Sequence, residues 1–521
     1  MAEREFDVIV VGAGAVGENV ADYAVRSGLS AALVDEALIG GECSYWACVP
    51  SKALLRTPQA VAAARRLPGV TAEFDPTAVL DRRTAFTGNW ADSAQVTWAE
   101  DAGITVIRGH ARIVGVRQVE VSGPRGTRLL RARHAVAICT GSAPYLPPVP
   151  GLDTVRIWTS REATSTREIP CRLGVLGGGV VGCEMAQAFQ RLGSQVVLLN
   201  RGPRLLPALE PFAGERVAAA LRADGVDVRL ETRLDAVAKA DEDTVDGLVE
   251  TPPVALRVAS ETLVVDQLLI ATGRRPRTTD LGLERLGLEA GKALEVDDTG
   301  RVMGVDGDWL YAAGDVTGRN LLTHQGKYDA RVLGAILGAK ARGQELDVRP
   351  WGEHSMVADR VAVPQVVFTD PEVASVGRTQ QQAREAGIDI EVVDLPLSVT
   401  GARLLADGYD GAVRMVIDRE REVLVGMTFV GQDVAELLHA ATVAIISEVP
   451  LSRLWHAVPA YPTMSEVWLR LLEAYRNRRP DRRLRAGLAW RGRLRPSCPV
   501  PGGAPSRHAH APGADGGPPD A

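Results

Sequence analysis

Short runs that are apolar at every position recur along the chain: Val8–Val11, Ala135–Cys139, Leu173–Leu176, Val196–Leu199 and Leu268–Ala271. Runs of that length suit parallel strands covered on both faces. Two of them open the same pattern. Val8–Val11 leads through a glycine-rich loop into an Ala-rich helical stretch to about Arg26, then a strand at Ala31–Val34. Leu173–Leu176 leads through a second such loop into a helix over Glu184–Leu192 and the strand Val196–Leu199. Between these units the chain predicts helix to about Arg66, more helix from roughly Thr77 to Gly103, and short strands at Ile104–Ile107 and Val119–Val121. A later strand, Trp309–Ala313, closes on Asp315 and precedes a long helix. From about Val361 the texture changes. Val366–Phe368, the alternation at Val413, Met415 and Ile417, and the run Val423–Val430 predict an antiparallel sheet, with helices at Thr379–Ala386, Ala435–Glu448 and Met464–Tyr475.

The loops say what the two units hold. In Gly12-Ala13-Gly14-Ala15-Val16-Gly17 the first glycine makes the tight turn, the second lets backbone approach a pyrophosphate, and the third lets the helix pack closely. Asp35, at the end of the second strand, is placed to bind a ribose. Gly177, Gly179 and Gly182 repeat the pattern, so two nucleotides in one chain are expected. There the strand ends in Asn200-Arg201 instead of an acid, with Arg204 nearby, which favours a 2′-phosphate and hence NADPH over NADH. Prolines 144, 147, 148 and 150 mark a connector. The expected fold is α/β, with two Rossmann-like dinucleotide-binding domains and a C-terminal α+β domain. The first nucleotide domain is built from 1–150 and 273–350, the second from 151–272, and the C-terminal domain from 351–475. The tail, 476–521, carries nine Arg up to position 495 and then turns rich in Pro, Gly and Ala, a composition that predicts disorder.

Composition narrows the class. Of 521 residues, 46% are hydrophobic and 24% charged, ordinary for a globular protein, and the net charge of −6 gives no reason to expect a nucleic-acid partner. No apolar run approaches the ~18 residues of a membrane span. The N-terminus carries charges of both signs and no signal-peptide core, so a cytoplasmic location is expected. Six cysteines in such a chain make no secreted disulfide framework, and no residues stand out as a metal-ligand set.

The candidate chemistry lies in Gly40-Gly41-Glu42-Cys43-Ser44-Tyr45-Trp46-Ala47-Cys48-Val49-Pro50-Ser51-Lys52. At a five-residue spacing a regular helix separates Cα atoms by about 8.6 Å. A disulfide tolerates about 4.4–6.8 Å. Pairing Cys43 with Cys48 therefore requires distorted backbone, which Gly40, Gly41 and Pro50 make accessible. The alternative is two unrelated thiols at a loop–helix junction. Lys52 is one of only five lysines.

Together with the two glycine loops, the Thr140-Gly141 and Thr272-Gly273 turns and Ala313-Gly314-Asp315, this segment resembles the pyridine nucleotide–disulfide oxidoreductases from about Asp7 to Tyr475. That family includes dihydrolipoamide dehydrogenase, glutathione reductase and mercuric reductase. The resemblance implies a homodimer with FAD at Gly12, Gly14, Gly17 and Asp35, and Ala111 at the adenine end. Asp315 falls on the ribityl chain and Thr323 by the flavin ring. Gly141 and Gly273 fall in the paired turns, and Gly177, Gly179, Gly182 and Arg201 at the nicotinamide nucleotide. Cys48 is then the thiol facing flavin, Cys43 the interchange thiol that meets the acceptor, and Lys52 with Glu184 the ion pair beside flavin N5. Cys139, Cys171 and Cys183 read as small packing residues, and Cys498 as a free thiol.

The sequence departs from the family in two places. Where the family carries His-Pro-Thr-x-x-Glu, this chain has Tyr461-Pro462-Thr463-Met464-Ser465-Glu466. Glu466 is kept, but a phenol with a reference pKa of about 10 is a poor base at neutral pH beside an imidazole near 6.5. His456 is a candidate substitute, with a packing or surface role as the alternative. Tyr45 and Trp46 replace small residues between the cysteines, and either reshape the acceptor side or point into the core. The expected function is transfer of electrons from NAD(P)H through FAD and Cys43–Cys48 to a small disulfide. The alternatives are reduction of quinones or metal ions, and a FAD-bound protein without catalysis.

Overall fold

The computed structural model describes residues 3–124, 126–240 and 252–478. β1 (Glu3–Val11), α1 (Ala15–Arg26) and β2 (Ala31–Asp35) form the first expected unit, with β1 and β2 parallel and Val8 opposite Ala31. Val8, Ile9 and Val10 are wholly buried, as a strand covered on both faces requires. The cysteines lie on two short-coupled helices, α2 (Gly41–Tyr45) and α3 (Cys48–Arg65). The helical stretch expected up to Gly103 is divided into α4 (Pro76–Phe86) and α5 (Ser93–Asp101), because Asn89 and Trp90 both take φ of 54°, in the left-handed region.

The chain then forms β3 (Thr105–Arg108), β4 (His110–Gly115), β5 (Gln118–Gly123) and the long β6 (Gly126–Ile138). The sheet runs β3-β2-β1-β6-β5-β4. After β7 (Ser142–Pro144), β8 (Ile157–Trp158) and α6 (Ser160–Ser165), the second unit comprises β9 (Arg172–Leu176), α7 (Val180–Leu192) and β10 (Gln195–Leu199). It continues with α8 (Pro211–Ala223) and β11 (Asp227–Arg229), then β12 (Ala236–Lys239), β13 (Val254–Val258), β14 (Glu261–Val265), β15 (Gln267–Ile270) and β16 (Arg274–Pro276). Its parallel sheet has the order β11-β10-β9-β15-β8, and β12, β13 and β14 form an antiparallel sheet of their own.

β16 pairs with β7, so the outgoing and returning connectors lie side by side. β17 (Leu310–Ala312) then joins the first sheet beside β6, with Leu310 opposite Val136. α9 (Thr323–Ala341) packs on α1 at two glycines that a larger residue would push apart. A Cβ on Gly326 would lie 2.4 Å from Val16 Cγ2, and one on Gly334 2.2 Å from Tyr23 Cβ.

The C-terminal part opens with α10 (Ala358–Val361), β18 (Gln365–Val367), β19 (Glu372–Gly377), α11 (Gln380–Glu385), β20 (Ile390–Pro396) and α12 (Thr400–Leu405). β21 (Ala412–Asp418), β22 (Val423–Gly431), α13 (Leu438–Ile446), α14 (Leu451–Leu454) and α15 (Glu466–Asn477) complete it. Its antiparallel sheet, β18-β19-β22-β21-β20, contains the strands expected there and adds β19 and β20. Through Leu472 the chain forms one unit, and the described residues beyond it finish α15. The tail expected to be disordered, with Cys498, lies outside the described residues from 479 onward. Among the described residues no helix is long and apolar enough to cross a membrane.

Candidate active site

The first glycine loop is shaped by its own backbone. Gly12 has φ of 99°, and a Cβ there would meet Cys139 O at 2.4 Å. On Gly17 a Cβ would meet Gly12 O at 1.9 Å. Gly14 has ordinary extended backbone, and its nearest neighbour would be Gly41 Cα at 3.9 Å. No side chain caps α1 at Gly14, which leaves the first amides of the helix free for an anionic group. Asp35 closes the loop: Ala13 N donates to its Oδ2 at 2.6 Å and Ala37 N to its Oδ1 at 2.8 Å. Gly109 N bonds Asp35 O at 2.9 Å, so Ala111, in β4 and opposite Val121, belongs to the same end of the sheet.

The second loop repeats the design. Gly177 has φ of 116°, a Cβ on Gly182 would meet Gly177 O at 1.9 Å, and nothing would lie within 4 Å of one on Gly179, the uncapped start of α7. Where Asp35 stands in the first unit, Asn200 accepts from Gly178 N at 3.1 Å and donates to Gly202 O and Arg204 O. Arg201 is exposed beside it, and Arg204 is half-buried and donates to Pro207 O at 3.2 Å.

The required backbone distortion lies between the cysteines. α2 stops at Tyr45, Trp46 (φ −138°, ψ 4°) and Ala47 (φ −138°, ψ −98°) leave the helical region, and α3 restarts at Cys48. Cys43 and Cys48 are both free, half-buried thiols, each directly perturbing the other. Cys48 is pulled down to about 6, first by hydrogen bonding from Cys43 and then, against the cost of burial, by Thr323 and Lys52. Cys43 moves up, through the same bond with Cys48 and through burial. The two thiols titrate as a pair, and the shifts favour the first negative charge on Cys48. Thr323 Oγ1 is 3.3 Å from its sulfur.

Lys52 Nζ donates to Glu184 Oε2 at 2.8 Å and lies 4.8 Å from the centre of the Phe368 ring. A cavity of about 550 Å³ opens beside Cys48, Lys52, Arg56, Gln59 and Phe368. Asp315 accepts from Ser142 Oγ at 2.5 Å, while burial holds its carboxyl above the usual range. Gly141 and Gly273 have positive φ, and a Cβ on either would meet no other atom within 4 Å.

Tyr45 resolves towards the interior, whereas Trp46 is half-buried. Tyr45 is 1% exposed with its hydroxyl on Gln95, and Trp46 lies under the Arg161 guanidinium at 4.2 Å. Arg161 also bonds Glu42 at 2.6 Å, and Arg277 bonds the same oxygen at 3.0 Å. Sequence reasoning missed this arginine cluster, whose only local signal is an acid directly before Cys43. Cys139 and Cys183 are buried as expected, whereas Cys171 is exposed and fills no core. Tyr461 is 72% exposed, His456 is exposed, and Glu466 is buried with Arg470 on its Oε1. None of the three is shown in contact with the cysteines of its own chain.

Residues 6–330 match the family model of pyridine nucleotide-disulphide oxidoreductases, well over half of the chain. The chain belongs to that family. Residues 363–472 match the family's dimerisation domain, which supports a homodimer. Pyridine nucleotide-disulphide oxidoreductases use FAD and NAD(P)H, and the two bare glycine cradles, each at an uncapped helix start, fit two dinucleotides. The dihydrolipoyl dehydrogenase of Thermus scotoductus is 32% identical over 480 residues, 90% of this chain and 97% of that one. The mercuric reductase of Streptomyces lividans is 33% identical over 475 residues, 89% and 95% of the two chains. A Cu(II) complex of the HOCl-induced flavoprotein disulfide reductase RclA from Escherichia coli superposes with a TM-score of 0.76 at 27% identity, covering 90% of this chain and 99% of that one. The protein is a FAD-containing pyridine nucleotide-disulphide oxidoreductase, and the reading of a FAD-bound protein without chemistry loses its basis.

Proposed function

We propose that this enzyme oxidises NAD(P)H and reduces a small disulfide through Cys43 and Cys48. The observation that carries the reading is the interrupted α2–α3 junction, which sets two half-buried thiols against each other with the charge on Cys48. FAD held in the first cradle supplies the two-electron exchange between the nicotinamide nucleotide and the thiol pair. The chain's own residues do the rest. Gly12, Gly14, Gly17, Asp35, Ala111, Gly141, Gly273 and Asp315 hold FAD. Gly177, Gly179, Gly182 and Arg201 hold the nicotinamide nucleotide, with the guanidiniums of Arg201 and Arg204 favouring NADPH. Lys52, fixed by Glu184, keeps positive charge beside Cys48, and Thr323 hydrogen-bonds its sulfur. Cys43 attacks the outside disulfide and releases one thiolate. Cys48 then displaces the second and closes the Cys43–Cys48 bond. FAD falls to 1–150 with 273–350, the nicotinamide nucleotide to 151–272, and dimer formation to 351–475. In the dimer, Tyr461 and Glu466 fall where the family's acid–base residues lie.

A second reading, reduction of a metal ion, draws on the mercuric reductases and the Cu(II) complex among its relatives and on Tyr461 in the histidine position. Among the described residues no group of three or more His, Cys, Asp or Glu is arranged to hold a metal. Steady-state assays of Cys43→Ser separate the readings. Lost disulfide reduction supports the thiol route, and full retention of disulfide turnover overturns it. Unchanged reduction of quinone or metal ions alongside that loss assigns those acceptors to a route without Cys43.

A further inference from the structure

Cys43 rides on a helix too short to hold itself. α2 has five residues, fewer than the ~12 at which an isolated helix becomes even marginally stable in water, so its place is set from outside. Trp90 Nε1 donates to Tyr45 O at 3.1 Å and Thr164 Oγ1 to Trp46 O at 3.1 Å, which occupies two carbonyls where α2 ends. On the other side of Cys43, Glu42 Oε1 accepts from Arg161 Nε at 2.6 Å and from Arg277 Nη2 at 3.0 Å. Its Oε2 is buried without a hydrogen bond, with Arg274 Nη2 3.8 Å away. Arg274 is itself fixed, bonding Ser142 Oγ through Nε at 2.7 Å and Ser142 O through Nη2 at 2.8 Å. Arg161 and Thr164 stand three residues apart on one face of α6, so that face holds the chain both before and after Cys43. α6 is anchored in turn. Arg83 of α4, fully buried, donates to Thr164 O and, at 2.6 Å, to Thr166 O, where α6 ends. No step of the reaction above uses Glu42 or these guanidiniums.

We propose that Glu42, clamped by Arg161 and Arg277, is a positioning residue that holds Cys43 in place for bonding to Cys48 and so sets how readily the pair closes. This rests on Cys43 and Cys48 being the redox couple. Closure is intramolecular, and its advantage depends on how narrowly the reacting sulfur is confined. The clamp orders α2 before the sulfurs meet. Without it, bond formation has to order α2 as well, and the open dithiol is favoured. The loss is about tenfold in the closure constant, the worth of one hydrogen bond to a charged group. Tenfold for a two-electron couple is about 30 mV, towards a more oxidising pair.

The test equilibrates the holoenzyme anaerobically with mixtures of dithiothreitol and its cyclic disulfide. Forming the Cys43–Cys48 bond releases two electrons and two protons, which open the cyclic disulfide to the dithiol. Free thiols are trapped with iodoacetamide, and the closed fraction is read by mass spectrometry on the peptide that carries both cysteines. Glu42→Ala and Arg161→Leu are each expected to lower the closure constant about tenfold, and the double variant to fall by less than the sum, because both remove the same contact. Single effects that add in full overturn a shared clamp. Unchanged constants in both single variants at matched flavin content, whatever their thermal midpoints, overturn the proposal and leave the function above intact. Should Glu42→Ala lose its flavin, Glu42→Gln decides alone, because it keeps the size and one acceptor oxygen. A smaller fall in the same direction then supports the clamp, and an unchanged constant overturns it. A wild type whose Cys43 and Cys48 close at no ratio of the two reagents overturns the function and the clamp together.

Discussion

Lys52 and Glu184 meet across 132 residues of sequence, with Nζ 2.8 Å from Oε2, and the carboxylate is almost fully buried while the lysine is one-third exposed. Phe368 N holds the other carboxylate oxygen at 2.9 Å. Lys52→Met leaves that charge buried with no cation. Breaking a buried pair costs about 3–5 kcal/mol, and the one-third exposure of Lys52 lowers the expected loss to about 2–3 kcal/mol. A lowered thermal midpoint by circular dichroism is expected for Lys52→Met. The double variant Lys52→Met/Glu184→Leu recovers most of the stability but none of the NAD(P)H-dependent turnover.

Thr323→Val removes the hydroxyl 3.3 Å from Cys48. In the reduced enzyme the charge is present on Cys48 above a pH of about 6 and lost below it. Losing a hydrogen bond to a charged group, about 1.5 kcal/mol, raises that midpoint by roughly one unit. Ultraviolet thiolate absorbance across a pH series reads the shift. An unmoved midpoint refutes a role for Thr323 in holding the charge.

Two glycines of the second loop separate ligand space from packing space. Gly179 has ordinary φ and an empty surround, so Gly179→Val is expected to fold, retain FAD and lose nicotinamide nucleotide affinity. Gly182→Ala drives a Cβ into Gly177 O and is expected to disrupt the fold around α7. Flavin absorbance and NAD(P)H binding calorimetry on both variants check the contrast.

For the nucleotide, Arg201→Ala is expected to lower kcat/KM for NADPH by about tenfold or more, the value of one charge-assisted hydrogen bond to phosphate, and to leave NADH nearly unchanged. Equal losses with both nucleotides, or a wild type that prefers NADH, refute a 2′-phosphate contact.

Tyr461→His places an imidazole where the family has one. General acid–base help amounts to about 10²–10⁴-fold, and a rise in disulfide turnover at neutral pH is expected. No gain means that acceptor fit, not proton transfer, sets the rate.

The parallel strands and glycine loops were legible because each is dictated locally: Val8–Val10 are covered on both faces, and Gly12 and Gly17 sit where any side chain would strike a backbone oxygen. β4 and β20 were not, because residue type does not mirror their burial: β4 buries only Ala111 and Ile113, and β20 buries the acid Glu391 along with Val393. The break at Asn89–Trp90 depends on two left-handed residues that helix propensity does not reveal. At the site, Cys43, Cys48, Lys52 and Glu184 were readable from motif context. Thr323 beside Cys48 joins positions 275 residues apart, and the packing of Phe368 on Lys52 likewise leaves no local trace.

Glu42, the residue before Cys43, is gripped by Arg161 of α6, while Thr164 of the same helix bonds Trp46 O at 3.1 Å. α6 stands at the threshold of the second nucleotide unit, so the redox loop is tethered to it on both sides of the first sulfur. Any displacement of α6 is therefore passed directly to the segment that spaces the two sulfurs.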